Sequence, residues 1–251
     1  MTSVGSGYDS SVSTFSPDGR VFQVEYANKA VDNSGTTIAM IYNSGIVFAV
    51  DKYVASKMMV PGTNRRVFAI DNQIGCCVAG FVTDSNKIIS IARSESLNYQ
   101  KIYGNPIPIR VLAERIAMYM HNFTLYGSVR PFGCSILLGG LDQDKGVELY
   151  CIQPSGSCYK YCAMAVGKGR QFARTDLEKL MEKNLSEEDA LYEAARVIIQ
   201  SREEGASKNL ELEMAFIGPG SDFQFSIVPE KQINLLNERV EKYIDDLASA
   251  E

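Results

Sequence analysis

TTIAMIYNSGIVFAVD, residues 36–51, carries two β-rich runs on either side of Asn43-Ser44. Their β-branched and aromatic content and the short polar break read as a hairpin. A strand with one wet face alternates apolar and polar residues. Here apolarity is nearly continuous, so both faces of the sheet must be covered. RVFAID (66–71) and IGCCVAG (74–80) form a second strand pair of the same kind.

Outward from these pairs, helices and strands come in separate runs. Residues 83–99 carry Ile88, Ile91, Ala92 and Tyr99, and residues 111–125 carry Leu112, Ile116, Tyr119, Met120 and Phe123 at helical spacing. Pro106 and Pro108 separate the two helices. Strands return at 133–141, 147–152 and 162–166, with a turn at Pro154-Ser155-Gly156. A helix over 169–182 follows, and Ser186 with Asp189 marks a capping box opening the next, through Gln200. LELEMAF (210–216) alternates like a half-exposed strand. A last helix carries Ile233, Leu236, Val240, Ile244 and Leu247. Segregated runs of this kind predict an α+β fold, with two sheets between outer helices making four layers.

The chain has 251 residues and a net charge of −5, with no basic cluster. That argues against nucleic-acid or anionic-membrane partners. Its start has neither the charge nor the apolar run of a secretory signal. A reduced compartment is therefore the default for Cys76, Cys77, Cys134, Cys151, Cys158 and Cys162, read mostly as small buried hydrophobes. They lack paired C-x-x-C spacing, and His121 is the single histidine. No metal, no cofactor and no His-based triad is expected.

Ahead of the first strand lies YDSSVSTFSPDGRVFQVEYA (8–27). Pro17 presets the second position of a turn at 16–19 and Gly19 suits the fourth. Val21, Val24, Ala27 and Val31 then recur at helical spacing, with Phe22 and Tyr26 on an adjoining face. A helix of about 12 residues needs something to pack on.

These residues resemble a known family. Tyr8-Asp9, Phe15-Ser16-Pro17-Asp18-Gly19-Arg20 and Gln23-Val24-Glu25-Tyr26-Ala27 together resemble the N-terminal signature of proteasome α-subunits. Gly35-Thr36-Thr37-Ile38, the 45–51 strand, Ala79-Gly80, Arg130-Pro131-Phe132-Gly133, Pro154-Ser155-Gly156 and Ala165-Val166-Gly167 match in order. Ser10, where many relatives have arginine, resembles the subtype at the seventh position of the eukaryotic α-ring. The resemblance implies a four-layer αββα sandwich of the N-terminal-nucleophile hydrolase type in a single domain. Residues 1–19 would be a gating head and turn, 20–31 a helix across the sandwich, and 35–251 the sandwich. The implied role is a non-catalytic structural and gating subunit of the 20S α-ring, in cytoplasm and nucleus. Implied partners are neighbouring α-subunits, β-subunits, and the C-terminal tails of a regulatory ATPase ring or another activator.

The competing reading is a self-processing hydrolase starting at Thr36, after Gly35. That mechanism needs a free α-amino group beside the threonine hydroxyl, with lysine and aspartate nearby. Lining up on Asp51 puts the nucleophile's position on Gly35 instead, and the lysine's place near Arg65 and Arg66, which cannot act as tunable amines. Thr36 and Thr37 then simply begin a strand.

Each candidate position has a plain structural reading beside the functional one. Tyr8 and Asp9 belong either to a frayed end or, by resemblance, to a gate cluster with Pro17 and Tyr26. Arg66 is either a solvated strand-edge charge or, with Gly35 and Gly80, one wall of a pocket between α-subunits where activator tails dock. A fixed cation there suits a terminal carboxylate. Phe132 is a buried strand residue in either case. The resemblance adds support of the head or of the neighbouring subunit by Tyr126 and Arg130. His121 is expected to be structural.

Overall fold

The computed structural model describes residues 7–56, 58–60, 62–202 and 210–250, with side chains through 246. Helix α1 (Phe22–Asp32) precedes the hairpin β1 (Thr37–Tyr42) and β2 (Gly45–Tyr53) and the pair β3 (Val67–Asp71) and β4 (Ile74–Gly80). Helices α2 (Val82–Tyr103) and α3 (Ile109–Asn122) lead to β5 (Cys134–Asp142), β6 (Gly146–Ile152), β7 (Cys158–Lys160) and β8 (Ala163–Val166). Then come α4 (Arg170–Leu180), α5 (Glu187–Gln200), β9 (Leu210–Ile217), β10 (Ser226–Ile227) and α6 (Glu230–Ala250). Two antiparallel sheets result, ordered β10-β9-β2-β1-β8 and β3-β4-β5-β6-β7.

Strand geometry explains the continuous apolarity. Successive side chains point to opposite faces. Ile46, Phe48 and Val50 of β2 enter the core between the sheets, while Val47 and Ala49 enter the core under α4, α5 and α6. In β4, Cys77 and Ala79 face the other sheet, and Cys76 and Val78 face α2 and α3. Three apolar cores thus separate four layers, the αββα arrangement expected. Among the described residues no helix is long and apolar enough to cross a membrane.

Several local expectations need correction. Ile91 is only half-buried, and Ile89, Ala92 and Ser96 complete the inward face of α2 with Ile88. The short strands β7 and β10 carry too few residues for a period to show. Cys162 is exposed just before β8, and Cys158 is partly exposed, unlike the other four cysteines. β9 is not half-exposed: it pairs with β2 along its whole length, and even Glu213 is buried. In α6, Leu236 and Val240 are buried; the side chain of Leu247 lies outside those described. The Ser186 hydroxyl accepts the Asp189 backbone N–H at 3.2 Å, capping α5 as predicted.

Candidate functional site

The turn at 16–19 forms as its residues require. The Gly19 N–H reaches the Ser16 carbonyl at 2.9 Å, with Gly19 at φ +78°. The buried Ser16 hydroxyl accepts the Arg20 N–H at 3.0 Å. Arg20 then folds onto α1, with Nε 2.7 Å from Glu25 and its guanidinium 4.8 Å from the Phe22 ring centroid. Upstream, Val12 is buried, and Ser11 packs close to Gly127. The head from residue 7 onward is thus laid on the body.

α1 crosses the end of the sandwich against β4 and β5. One face of it, with Tyr26, Lys29, Ala30 and Asn33, borders a cavity of about 680 Å³. Gly35, Asp51, Tyr53, Arg66, Gly80 and Phe81 complete the walls. This cavity joins the three residues expected of a tail-docking pocket with the aspartate of the hydrolase alignment.

Packing here leaves no space for a side chain at residue 35. A Cβ on Gly35 would lie 1.8 Å from the Asp51 carbonyl oxygen. The chain on either side is tied down by Lys168 N–H to the Ser34 carbonyl at 3.0 Å and Asp51 N–H to the Thr36 carbonyl at 2.8 Å. The Thr36 hydroxyl accepts the Gly169 N–H at 3.1 Å, and Thr37 is fully buried. Gly80 is equally tight, its absent Cβ 2.1 Å from the Gly133 carbonyl.

Two charged groups of the cavity, Asp51 and Arg66, are each engaged by other parts of the chain. Asp51 accepts two N–H groups of Arg202, at 2.9 and 3.2 Å, with the Asp51 side chain buried and that of Arg202 partly so. Burial pushes the Asp51 carboxyl up, and Arg202 pulls it partly back. Arg66 donates Nη1 to the Gly80 carbonyl at 2.7 Å and its backbone N–H to Glu213 at 2.8 Å. Burial lowers the Arg66 guanidinium, against the raising effect of Glu213. Glu213 is itself pushed up by burial. The solvated strand-edge reading of Arg66 therefore does not hold.

The head reaches the same helix at Gln23 and Tyr26. Tyr26 Oη donates to Asp9 Oδ2 at 3.3 Å, and the Gln23 amide donates to the Asp9 carbonyl. Of the four residues expected to cluster, Asp9 and Tyr26 meet here, while Tyr8 and Pro17 stand exposed. Arg130 grips Asp84 with two bonds, at 2.6 and 2.8 Å, and Asp84 also accepts the Gly133 N–H at 2.9 Å. The Arg130 hydrogen bonds hold the Asp84 carboxyl below the usual range. Arg130 thus pins the β5 and α2 ends behind Gly80, within this chain. Tyr126 is exposed beside the Gly127 that carries Ser11.

Comparison with known proteins identifies the family. The N-terminal signature of the proteasome A-type subunits matches residues 8–30, and the general profile of proteasome subunits matches residues 31–217. A relative from Dictyostelium discoideum, proteasome subunit alpha type-3, is 48% identical over 97% of this chain and 96% of its own. One of the same name from Oryza sativa subsp. japonica is 50% identical over 91% and 92%. A probable proteasome subunit alpha type-7 from Schizosaccharomyces pombe is 39% identical over 100% and 97%. The chain belongs to the proteasome α-subunit family.

Within this α-subunit the remaining reactive side chains have structural settings. Burial pushes the thiols of Cys76, Cys134 and Cys151 up to about 12, which keeps them protonated and unreactive. His121 is exposed rather than buried, with Nδ1 3.1 Å from the Ser155 carbonyl and 3.2 Å from the Thr124 hydroxyl. Among the described residues no group of His, Cys, Asp and Glu side chains is placed to hold a metal. Sequence reading missed Arg202, Glu213 and Lys29. The first two act across more than a hundred residues of chain, without a local signal. Lys29 had one: it follows Tyr26 by three positions, on the same helical face.

Proposed function

We propose that this α-subunit is a non-catalytic member of the proteasome's α-ring, with its head contributing to closure of the axial channel. It admits substrate to a proteolytic chamber built by other subunits, in cytoplasm and nucleus. Its neighbours are other α-subunits and the β-subunits. The cavity of Gly35, Arg66 and Gly80 receives C-terminal tails of an activator such as a regulatory ATPase ring. The observation that carries this reading is Gly35. The position aligned with a nucleophile lacks room for a side chain, and the peptide leading into it continues from α1. A free terminal amine at Thr36 would require removal of the whole packed head.

Intact mass of the chain recovered from native particles tests the non-catalytic part. The expected mass includes the head, with no labelling of this chain by threonine-directed probes. A chain beginning at Thr36 would establish the hydrolase reading instead. For the gate, particles whose copy of this chain lacks residues 1–7 are expected to hydrolyse small peptides several-fold faster without activator. Their number of labelled catalytic sites should stay constant. Unchanged latency would place gate closure in other subunits.

A further inference from the structure

Asp18-Gly19 is the single place in the chain where glycine follows an aspartate or an asparagine. Such a pair can close on itself: the nitrogen after the acid attacks the side-chain carboxyl carbon, and a five-membered imide forms. Glycine in second position leaves that nitrogen unscreened by a side chain and its backbone free to turn. The turn at 16–19 presents the pair in the open. Pro17, Asp18 and Gly19 are exposed, and nothing lies within 4 Å of where a Gly19 Cβ would stand. A planar ring fits there without displacing a neighbour.

Both reacting groups are tethered to one residue. The Ser16 hydroxyl donates to Asp18 Oδ1, and the Ser16 carbonyl accepts the Gly19 N–H at 2.9 Å. Arg20 Nη1 stands 3.8 Å from Asp18 Oδ2. A hydroxyl donor on one carboxyl oxygen and a guanidinium near the other favour the negative charge that builds on those oxygens during attack. What opposes the reaction is one exposed hydrogen bond. The Gly19 N–H must leave the Ser16 carbonyl, a small cost where water replaces the partner.

We propose that Asp18-Gly19 is a modification site, at which the chain isomerises to isoaspartate without an enzyme. In the first step the Gly19 nitrogen bonds to Asp18 Cγ. One carboxyl oxygen leaves as water, taking the N–H proton and one proton from solvent. In the second step water adds to the main-chain carbonyl of Asp18, and the bond from that carbon to the Gly19 nitrogen breaks. The chain then runs through Cγ, one carbon longer, and the former main-chain carbonyl becomes a free carboxylate. The added carbon takes Gly19 out of register with the Ser16 carbonyl and shifts Arg20 from Glu25 and Phe22, so the head loses one of its ties to α1. The new carboxylate is the group that an S-adenosylmethionine-dependent isoaspartyl methyltransferase esterifies, which gives the class of partner for repair.

The test ages assembled particles containing the full chain at physiological pH and temperature, in water enriched in heavy oxygen. The head is recovered as the tryptic peptide 1–20, in which Arg20 is the one cleavable residue. A second form of this peptide is expected to accumulate, carrying one heavy oxygen at residue 18 and accepting a methyl group from the methyltransferase. Asp18→Glu keeps the carboxylate but needs a slower six-membered closure, and should lose the signal. Label that persists in Asp18→Glu places the reaction elsewhere and overturns the assignment. An unlabelled particle also overturns it when the free peptide 14–22 is labelled under the same conditions, because the folded turn then protects the pair. The effect on the gate rests on the reading of the head as closing the channel: isomerised particles should hydrolyse small peptides faster without activator. Isomer formed with latency intact keeps the modification site and refutes that reading of the head. Absence of isomer refutes the site and leaves the reading as it was.

Discussion

Gly35→Thr is expected to destabilise the chain by about 3 kcal/mol or more and to create no hydrolase, although it places threonine where the alignment puts a nucleophile. The added Cβ meets the Asp51 carbonyl oxygen at 1.8 Å, a backbone atom that cannot swing aside. Relief requires separating the chain leading into β1 from β2, which breaks the 2.8 Å bond from Asp51 N–H to the Thr36 carbonyl. For a chain of this size the loss corresponds to a fall in Tm of roughly 6–12 °C. Gly19→Ala is the control. Gly19 has a left-handed φ but open space around it, so only the conformational cost of about 1 kcal/mol applies. Thermal unfolding of the purified proteins distinguishes the two. Equal losses would show that the contact at Gly35 relaxes without strain.

Arg202→Met is expected to cost about 3–5 kcal/mol, because it leaves the Asp51 carboxylate buried without its partner. Replacing both residues, as Asp51→Asn with Arg202→Met, should recover part of that loss, since no charge then remains to be desolvated. The pH dependence has a definite sign. Burial raises the Asp51 carboxyl in the folded chain, and Arg202 is the group that lowers it. A raised carboxyl binds its proton more tightly folded than unfolded. Stability from this group therefore falls as pH rises from the ordinary carboxylate range to the raised folded value. Without Arg202 that window extends upward. The Tm deficit of Arg202→Met should thus be smaller at pH 5 than at pH 7.5. A deficit equal at both values would mean the carboxylate finds water or another donor.

Those two sites also show what reading along the chain can reach. The hairpin of β1 and β2, the turn at 16–19 and the Ser186 cap each depend on residues within a few positions of one another. Their geometry follows from local backbone preference and side-chain period. Even the burial of both sheet faces was legible, because Ile46 to Val50 offer apolar side chains to two cores at once. The half-exposed reading of β9 failed for the opposite reason. Glu213 looks like a solvent-facing residue in LELEMAF, and only the seating of β9 beside β2 encloses it with the Arg66 N–H as partner.

Segment 8–27 with Gly35-Thr36-Thr37 carries, in sequence alone, the family, the layered fold and the positions at which a nucleophile and its amine would have to stand. Turns, caps and apolar periods are short-range, so they survive in one dimension. Tertiary structure alone decided which charges are free. Asp51 and Arg202 lie 151 residues apart, and Arg66 and Glu213 lie 147 apart. No periodicity connects such residues, and whether a cation is spent on a neighbour or left open to a ligand depends on the packing that brings them together.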